Sequence, residues 1–238
     1  MSKSFFVDTT LCTACRGCQV ACKQWHDLTA EETENRGSYQ NPEDLSFDTY
    51  KLVRMEEEII EGRVQWLFFP DQCRHCVEPP CQDTAGDPSA IFTDPASGAV
   101  IYTANTKGLN ADEIIESCPY NIPRKGEDGT LAKCDMCLDR VQNGLQPACV
   151  TTCPTGAMNF GDREDMLALA KKRLSMTREK FPQAQLLDPE DVRVIFMVGF
   201  DPALYHENAV AANSAFDITR QMALTKMLRP STRLFANL

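Results

Sequence analysis

A chain of 238 residues with a hydrophobic fraction of 43% is long enough for one large or two small domains around an ordinary core. Its 24 basic and 34 acidic residues leave a net charge of −10, which keeps it soluble, could steer a basic electron-carrying partner and argues against nucleic acid as a ligand. Its 12 cysteines stand mostly at gaps of two to four residues instead of spreading out to close long loops, which argues against a disulfide framework and for metal ligation.

In chain order, residues 4–11 (Ser-Phe-Phe-Val-Asp-Thr-Thr-Leu) read as a short strand delivering the chain to Cys12-x2-Cys15-x2-Cys18-x3-Cys22, with Gly17 easing a tight loop. A helical turn is expected over Lys23-Gln24-Trp25-His26. Residues 29–44, without periodicity and rich in Thr, Glu, Asn, Gly and Pro, read as a long surface loop. Phe47 to Met55 and Arg63 to Phe69 read as two strands joined at Gly62, the second running into Pro70 and Cys73-x2-Cys76-x4-Cys81. Residues 90–93 and 99–102 flank a Pro and Gly turn and predict a small hairpin.

Further on, Asn110 is positioned to cap a helix over 111–117 that leads into Cys118-Pro119. The last group, Cys134-x2-Cys137-x11-Cys149-x3-Cys153-Pro154, contains a helix expected over 136–143 with Gly144 as its stop. Residues 162–180 read as an amphipathic helix ended by Pro182, Val194–Phe200 as a buried strand too short to cross a bilayer, and 206–229 as another helix before Pro230. The amino end lacks an apolar region followed by a small-residue cleavage site, so no export signal is expected on this chain.

Gaps of two, two and three residues are those of the ferredoxin run, in which three cysteines hold one iron-sulfur cube and the fourth serves another. On that logic Cys12, Cys15 and Cys18 take Cys153 as fourth ligand, and Cys134, Cys137 and Cys149 take Cys22. Cys73, Cys76, Cys81 and Cys118 make a third set, and no thiol is left over. The expected architecture is α+β: tandem ferredoxin-like 4Fe-4S domains with small β-hairpins and short helices, and a helical C-terminal extension. One half would comprise 1–45 and 125–162 and hold two clusters. An inserted half, 46–124, would hold one, leaving 163–238 for packing or subunit docking.

Residues 1 to about 162, through Cys118-Pro-Tyr-Asn-Ile-Pro-Arg124, Lys133-Cys-Asp-Met-Cys-Leu-Asp-Arg140 and Cys149-Val-Thr-Thr-Cys-Pro-Thr-Gly-Ala157, resemble the electron-transfer subunits of molybdenum and tungsten pterin oxidoreductases. Members of that family carry four clusters on sixteen cysteines. The positions of the missing four are Ala85, Gly108, Ala111 and Ile114, so one whole cluster is absent and three 4Fe-4S clusters are implied. The three-cluster pattern is most similar to the small subunit of soluble two-subunit formate dehydrogenases. That resemblance implies a large catalytic subunit with a tungsten or molybdenum bis-pterin and one further cluster, a multihaem cytochrome c acceptor, and a periplasmic home reached by co-export. A relay for another molybdopterin oxidoreductase and a free-standing polyferredoxin are the alternatives.

Three four-cysteine zinc sites are the competing structural reading, but zinc has no need for a fourth ligand crossing between runs. His75, between Cys73 and Cys76, is read as a surface or supporting group and not a ligand. Arg16, Lys23, Arg74, Lys133 and Arg140 stand near thiols in sequence and either raise cluster potentials or are solvated. Trp25, Trp66, Tyr120 and Met158 are expected in the core. No nucleophile elbow, phosphate loop or dinucleotide fingerprint is present, so no catalytic site is expected.

Overall fold

In the computed structural model, which describes residues 2–211, the run Phe5-Phe6-Val7 lies fully buried in strand β1 (Lys3–Asp8). The strand stops where the Asp8 carboxylate accepts the Thr10 amide (3.1 Å) and caps a single 3-10 turn, Thr9–Leu11, that feeds the first cysteine loop. Helix α1 (Gly17–Trp25) begins inside that loop, with Arg16 in the left-handed region at φ 59°. The turn expected over 23–26 is thus the end of a nine-residue helix whose Cys18 and Cys22, four apart, share a face.

Residues 29–44 form no helix or strand. Strands β2 (Leu52–Ile60) and β3 (Arg63–Asp71) make a long antiparallel hairpin, turned by Glu61 and Gly62, both at positive φ (51° and 73°). The first arm starts five residues later than its composition suggested. The amides and carbonyls of Ser46 and Thr49 satisfy each other, both at 3.2 Å, and fold 46–49 into a closed loop. Then come α2 (Pro80–Ala85), the expected hairpin β4 (Ile91–Thr93) with β5 (Val100–Tyr102), and α3 (Ala111–Glu116). Asn110 occupies the cap position of α3, but its side chain makes no capping bond. A two-residue pair, β6 (Arg124–Lys125) and β7 (Leu131–Ala132), precedes α4 (Leu138–Gln142) and α5 (Ala148–Thr151). Helix α4 starts two residues later than expected because Met136 and Cys137 are left-handed (φ 67° and 49°), which wraps the loop around its thiols.

Strand β8 (Met158–Asp162), helix α6 (Arg163–Thr177), β9 (Gln185–Leu187) and β10 (Val194–Val198) complete the described chain. The sheet order is β8-β1-β10-β9; β1 runs parallel to β10, pairing Phe5 with Val194, and antiparallel to β8, pairing Phe5 with Phe160. Among the described residues the extension expected to be helical contains one α-helix, two strands and a 3-10 turn (Pro202–Leu204), and its strand β10 lies inside the sheet beside β1. The helix expected over 206–229 is turn and bend through residue 211 and beyond that lies outside the described residues.

Phe69 of β3 stacks on Phe196 of β10 (centroids 4.3 Å apart), which locks the hairpin base to the sheet. Each ring is completely buried, worth about 1.5–3 kcal/mol of transfer free energy. Ala170 of α6 meets Phe6 and Met197 on the other sheet face. Among the described residues no helix is long and apolar enough to cross a membrane.

Candidate metal centre

None of the twelve cysteines is paired in a disulfide. At the first expected set, Cys12 faces Cys18 and Cys153, and Cys18 faces Cys15 and Cys153. The crossing depends on Gly17: a Cβ there would lie 3.3 Å from Thr152 Cγ2 and 3.6 Å from Cys15 Sγ, so a bare backbone lets α1 approach the turn that carries Cys153.

At the second, Cys22 faces Cys149 and Cys137, and Cys134 faces Cys22 and Cys149. Packing of α1 on α5 holds these parts together. The end of α1 is pinned by His26, whose Nε2 lies 3.3 Å from Asp135 Oδ1 and 3.5 Å from Cys137 Sγ, with its ring tilted on Tyr50.

At the third, Cys73, Cys76, Cys81 and Cys118 line one small cavity with Pro79, Pro80, Tyr102, Tyr120 and Lys133. The His75 amide donates to Cys73 Sγ at 3.4 Å. Cys149 also faces Cys18, and Cys134 also faces Cys73, so the three sets adjoin one another.

The donor set distinguishes a single ion from a larger group. Sulfurs on one tetrahedral zinc, with bonds of about 2.3 Å, stand about 3.8 Å apart. Among the described residues, the one trio of possible ligands with all donor atoms within 4.8 Å of one another is His26, Asp135 and Cys137. Among the described residues no three sulfurs are drawn in tightly enough for one zinc.

Burial pushes most of these thiols up: Cys12, Cys118 and Cys149 to about 11, Cys137 to about 12, and Cys22, Cys76 and Cys134 further. Cys153 goes the other way. Its partial burial is outweighed by the amides of Met158, Thr155 and Ala157 and by the Thr155 hydroxyl. Thiolates at the buried positions therefore need cationic company.

Two lysines supply it. Lys51, just ahead of β2 and 2% exposed, donates to Pro70 O (3.1 Å) and Gln72 Oε1 (2.5 Å). Lys133, 6% exposed, donates to Val100 O (2.5 Å) and Cys134 O (3.0 Å), with its ammonium 4.7 Å from the Tyr102 ring centroid. Burial opposes both charges, yet the facing sulfurs hold both ammonium groups above their ordinary range. Among the described residues neither lysine has a carboxylate partner.

Another buried network braces the third site. Asp71, at the end of β3, accepts from Arg54 Nε and Arg74 Nη1, both at 2.8 Å, and Arg54 reaches on to Asp44 at 2.6 Å. Burial would protonate Asp71, but Arg74 and Arg54 hold its carboxyl below the usual range. The Arg74 guanidinium also lies over Phe69, Tyr120 and Phe196 at 4.6–5.1 Å.

His75 is fully buried, which corrects the expectation of a surface group. The Val100 amide donates to its Nδ1 at 3.0 Å, and burial, with Lys133 and Arg193 nearby, keeps the ring neutral. Of the two tryptophans, Trp25 is 43% and Trp66 55% exposed, not core as expected, whereas Tyr120 and Met158 are buried. Sequence reasoning missed Lys51 and His26 as neighbours of thiols, since neither adjoins the cysteines it meets.

Ala111 and Ile114, two positions where a four-cluster relative carries cysteine, sit with Cys81, Ala90, Ile91, Val100 and Leu131 in one buried apolar cluster, and Ala85 packs against it.

Residues 64–163 match the family model described as a 4Fe-4S dicluster domain. The chain is 60% identical over 215 residues to the formate dehydrogenase subunit beta of Megalodesulfovibrio gigas, covering 89% of this chain and all of that protein. It is 52% identical to formate dehydrogenase 2 subunit beta (cytochrome c-553) of Nitratidesulfovibrio vulgaris, over 88% of this chain and 99% of that one. The nitrate-inducible formate dehydrogenase iron-sulfur subunit of Escherichia coli is 36% identical, over 84% of this chain and 70% of that one. On that likeness the chain belongs to the iron-sulfur beta subunits of formate dehydrogenases, the electron-transfer components of those enzymes.

Proposed function

We propose that the chain holds three 4Fe-4S clusters and relays electrons between a formate-oxidising catalytic subunit and an external carrier. Cys12, Cys15, Cys18 and Cys153 hold the first cluster; Cys22, Cys134, Cys137 and Cys149 the second; Cys73, Cys76, Cys81 and Cys118 the third. The observation that supports this reading best is the cavity lined by Cys73, Cys76, Cys81 and Cys118 together, beside which Cys18 faces Cys153 and Cys22 faces Cys149 and Cys137 across the chain. Cys149 faces Cys18 between the first and second, and Cys134 faces Cys73 between the second and third. Bound there, each cluster would supply a one-electron carrier.

The chain's own contribution is to supply thiolates, to exclude water by burying most of them, and to direct an amide at Cys73 Sγ. Apolar side chains at 85, 111 and 114 support a count of three and not four. The interleaving favours a ferredoxin-like half from 1–45 and 125–162 with two clusters, an inserted half over 46–124 with one, and 163–238 serving packing or subunit docking.

The electron source is a large subunit with a tungsten or molybdenum bis-pterin and one further cluster. The acceptor is a c-type cytochrome, a reading supported by the cytochrome c-553 in the name of the Nitratidesulfovibrio relative, and it implies a periplasmic home by co-export. The test is anaerobic addition of formate to the purified complex. Broad visible absorbance that bleaches with formate and returns with oxidised cytochrome c supports this function; absorbance that ignores formate but responds to another pterin-enzyme substrate refutes it.

A further inference from the structure

Lys51 and Lys133 occupy equivalent places relative to the thiols. The charged neighbours that act on Lys51 are sulfurs of two different tetrads, Cys18 of the first and Cys149, Cys134 and Cys22 of the second. Those acting on Lys133 include Cys73 and Cys81 of the third and Cys134 of the second, and its side chain lines the third tetrad's cavity. Each lysine thus stands at a gap between neighbouring tetrads.

Both ammonium groups are buried, and their hydrogen bonds go to neutral oxygens alone: Pro70 O and Gln72 Oε1 for Lys51, Val100 O and Cys134 O for Lys133. An isolated charge in such surroundings costs several kcal/mol unless an opposite charge faces it. By contrast Arg54 and Arg74, also buried, are paired to Asp71. What faces Lys51 is sulfur, and what faces Lys133 is sulfur first and the Asp135 carboxylate after it; four thiolates around a cube of iron and sulfide carry a net negative charge.

We propose that Lys51 and Lys133 are fixed cations at the two gaps of the relay, each the buried counter-ion of both clusters that flank it and each raising both their potentials. This rests on the cluster assignment above. A fixed positive charge favours the reduced, more negative state of a nearby cluster, and favours it more strongly where water is excluded. Placed at a gap, it also weakens the repulsion between electrons on adjacent clusters. Half-buried basic residues do so less strongly, because solvent reaches them: Lys23 and Arg140 bond the backbone carbonyls Thr29 O and Gln146 O.

The test is potentiometric titration, followed by electron paramagnetic resonance, of the complex carrying Lys51→Gln or Lys133→Gln. Glutamine keeps a hydrogen-bond donor and removes the charge. At the wild-type midpoint, Lys51→Gln should lower the reduced-to-oxidised ratio of the first and second clusters at least tenfold, equivalent to 59 mV for a one-electron couple, and leave the third within twofold. Lys133→Gln should act on the second and third and spare the first. Full iron content with every cluster within twofold of wild type would overturn the proposal, as would an equal shift of all three.

If a variant is isolated short of iron, loss confined to the flanking clusters supports a counter-ion role, and loss that includes the remote cluster contradicts it. Wild-type protein with fewer than three clusters would instead defeat the assignment beneath the proposal, and that result is read before any variant is made.

Discussion

Replacing Asp71 with asparagine removes, among the described residues, the only carboxylate that pairs Arg74 and one of two that pair Arg54, at the point where β3 passes into the Cys73 loop. Asp71 is completely buried, and the side chains of Arg54 and Arg74 are 8% and 2% exposed, so solvent cannot take its place. Breaking one member of a buried ion pair costs about 3–5 kcal/mol, because a desolvated charge is left behind. Arg54 retains Asp44, whereas Arg74 keeps the Gln72 carbonyl and its aromatic faces, so the loss belongs at about 3–4 kcal/mol. For a domain of this size that lowers the midpoint of thermal unfolding by about 6–16 °C. The assay is the temperature at which visible absorbance is lost, compared between wild type and Asp71→Asn, with signals of the third cluster disappearing first. A shift under about 2 °C would refute the reasoning, since it would mean that the paired guanidiniums find equal partners without the carboxylate.

Other expectations follow from the same structure. Cys22→Ser should damage the cluster held by Cys134, Cys137 and Cys149 and spare the one held by Cys12, Cys15 and Cys18, although Cys22 belongs to the same sequence run; iron content and resonance signals read this. Ile114→Ala should cost about 2–5 kcal/mol of stability and no iron, because a carbon-filled volume is opened and no ligand removed. Asp44 is partly buried, which opposes its charge, but Arg54 and Arg124 hold its carboxyl below the ordinary range. A depressed folded pKa gives stability that is fully present above the unfolded value of about 3.9 and is lost as pH falls through the folded one. The difference in unfolding temperature between wild type and Asp44→Asn should therefore stay constant from about pH 8 to about pH 5 and narrow only below about pH 4. A difference that fades between pH 7 and 6 would contradict that assignment.

The proposed ligand sets were legible because cysteine spacing is a local signal with one dominant physical cause. Three thiols two residues apart can wrap a cube only if a fourth arrives from elsewhere, and Gly17 marks where the other chain segment approaches. The hairpins were legible from Gly62 and from the turn ahead of Ala99, where special backbone angles demand particular residues. What was hidden depends on distance along the chain. The parallel pairing of β1 with β10 joins Phe5 to Val194, and no local pattern announces it. Likewise the start of α1 at Gly17 lacks any capping side chain. Nothing near Lys51 in sequence hints that its ammonium ends among four sulfurs; only the hairpin register, which brings Pro70 and Gln72 to it, accounts for that. Trp25 and Trp66 misled for the opposite reason, since aromatic bulk predicts burial on average and says nothing about which face of a helix or hairpin is covered.

Iron-edge anomalous diffraction from crystals of the anaerobically purified protein tests the central claim most directly. The account predicts three cubes and about twelve irons in this chain, with Cys22 bonded to the same cube as Cys134, Cys137 and Cys149, and Cys153 to that of Cys12, Cys15 and Cys18. Finding Cys22 on the cube of Cys12, a sulfur bonded to no iron, or single metal ions in place of cubes would contradict it.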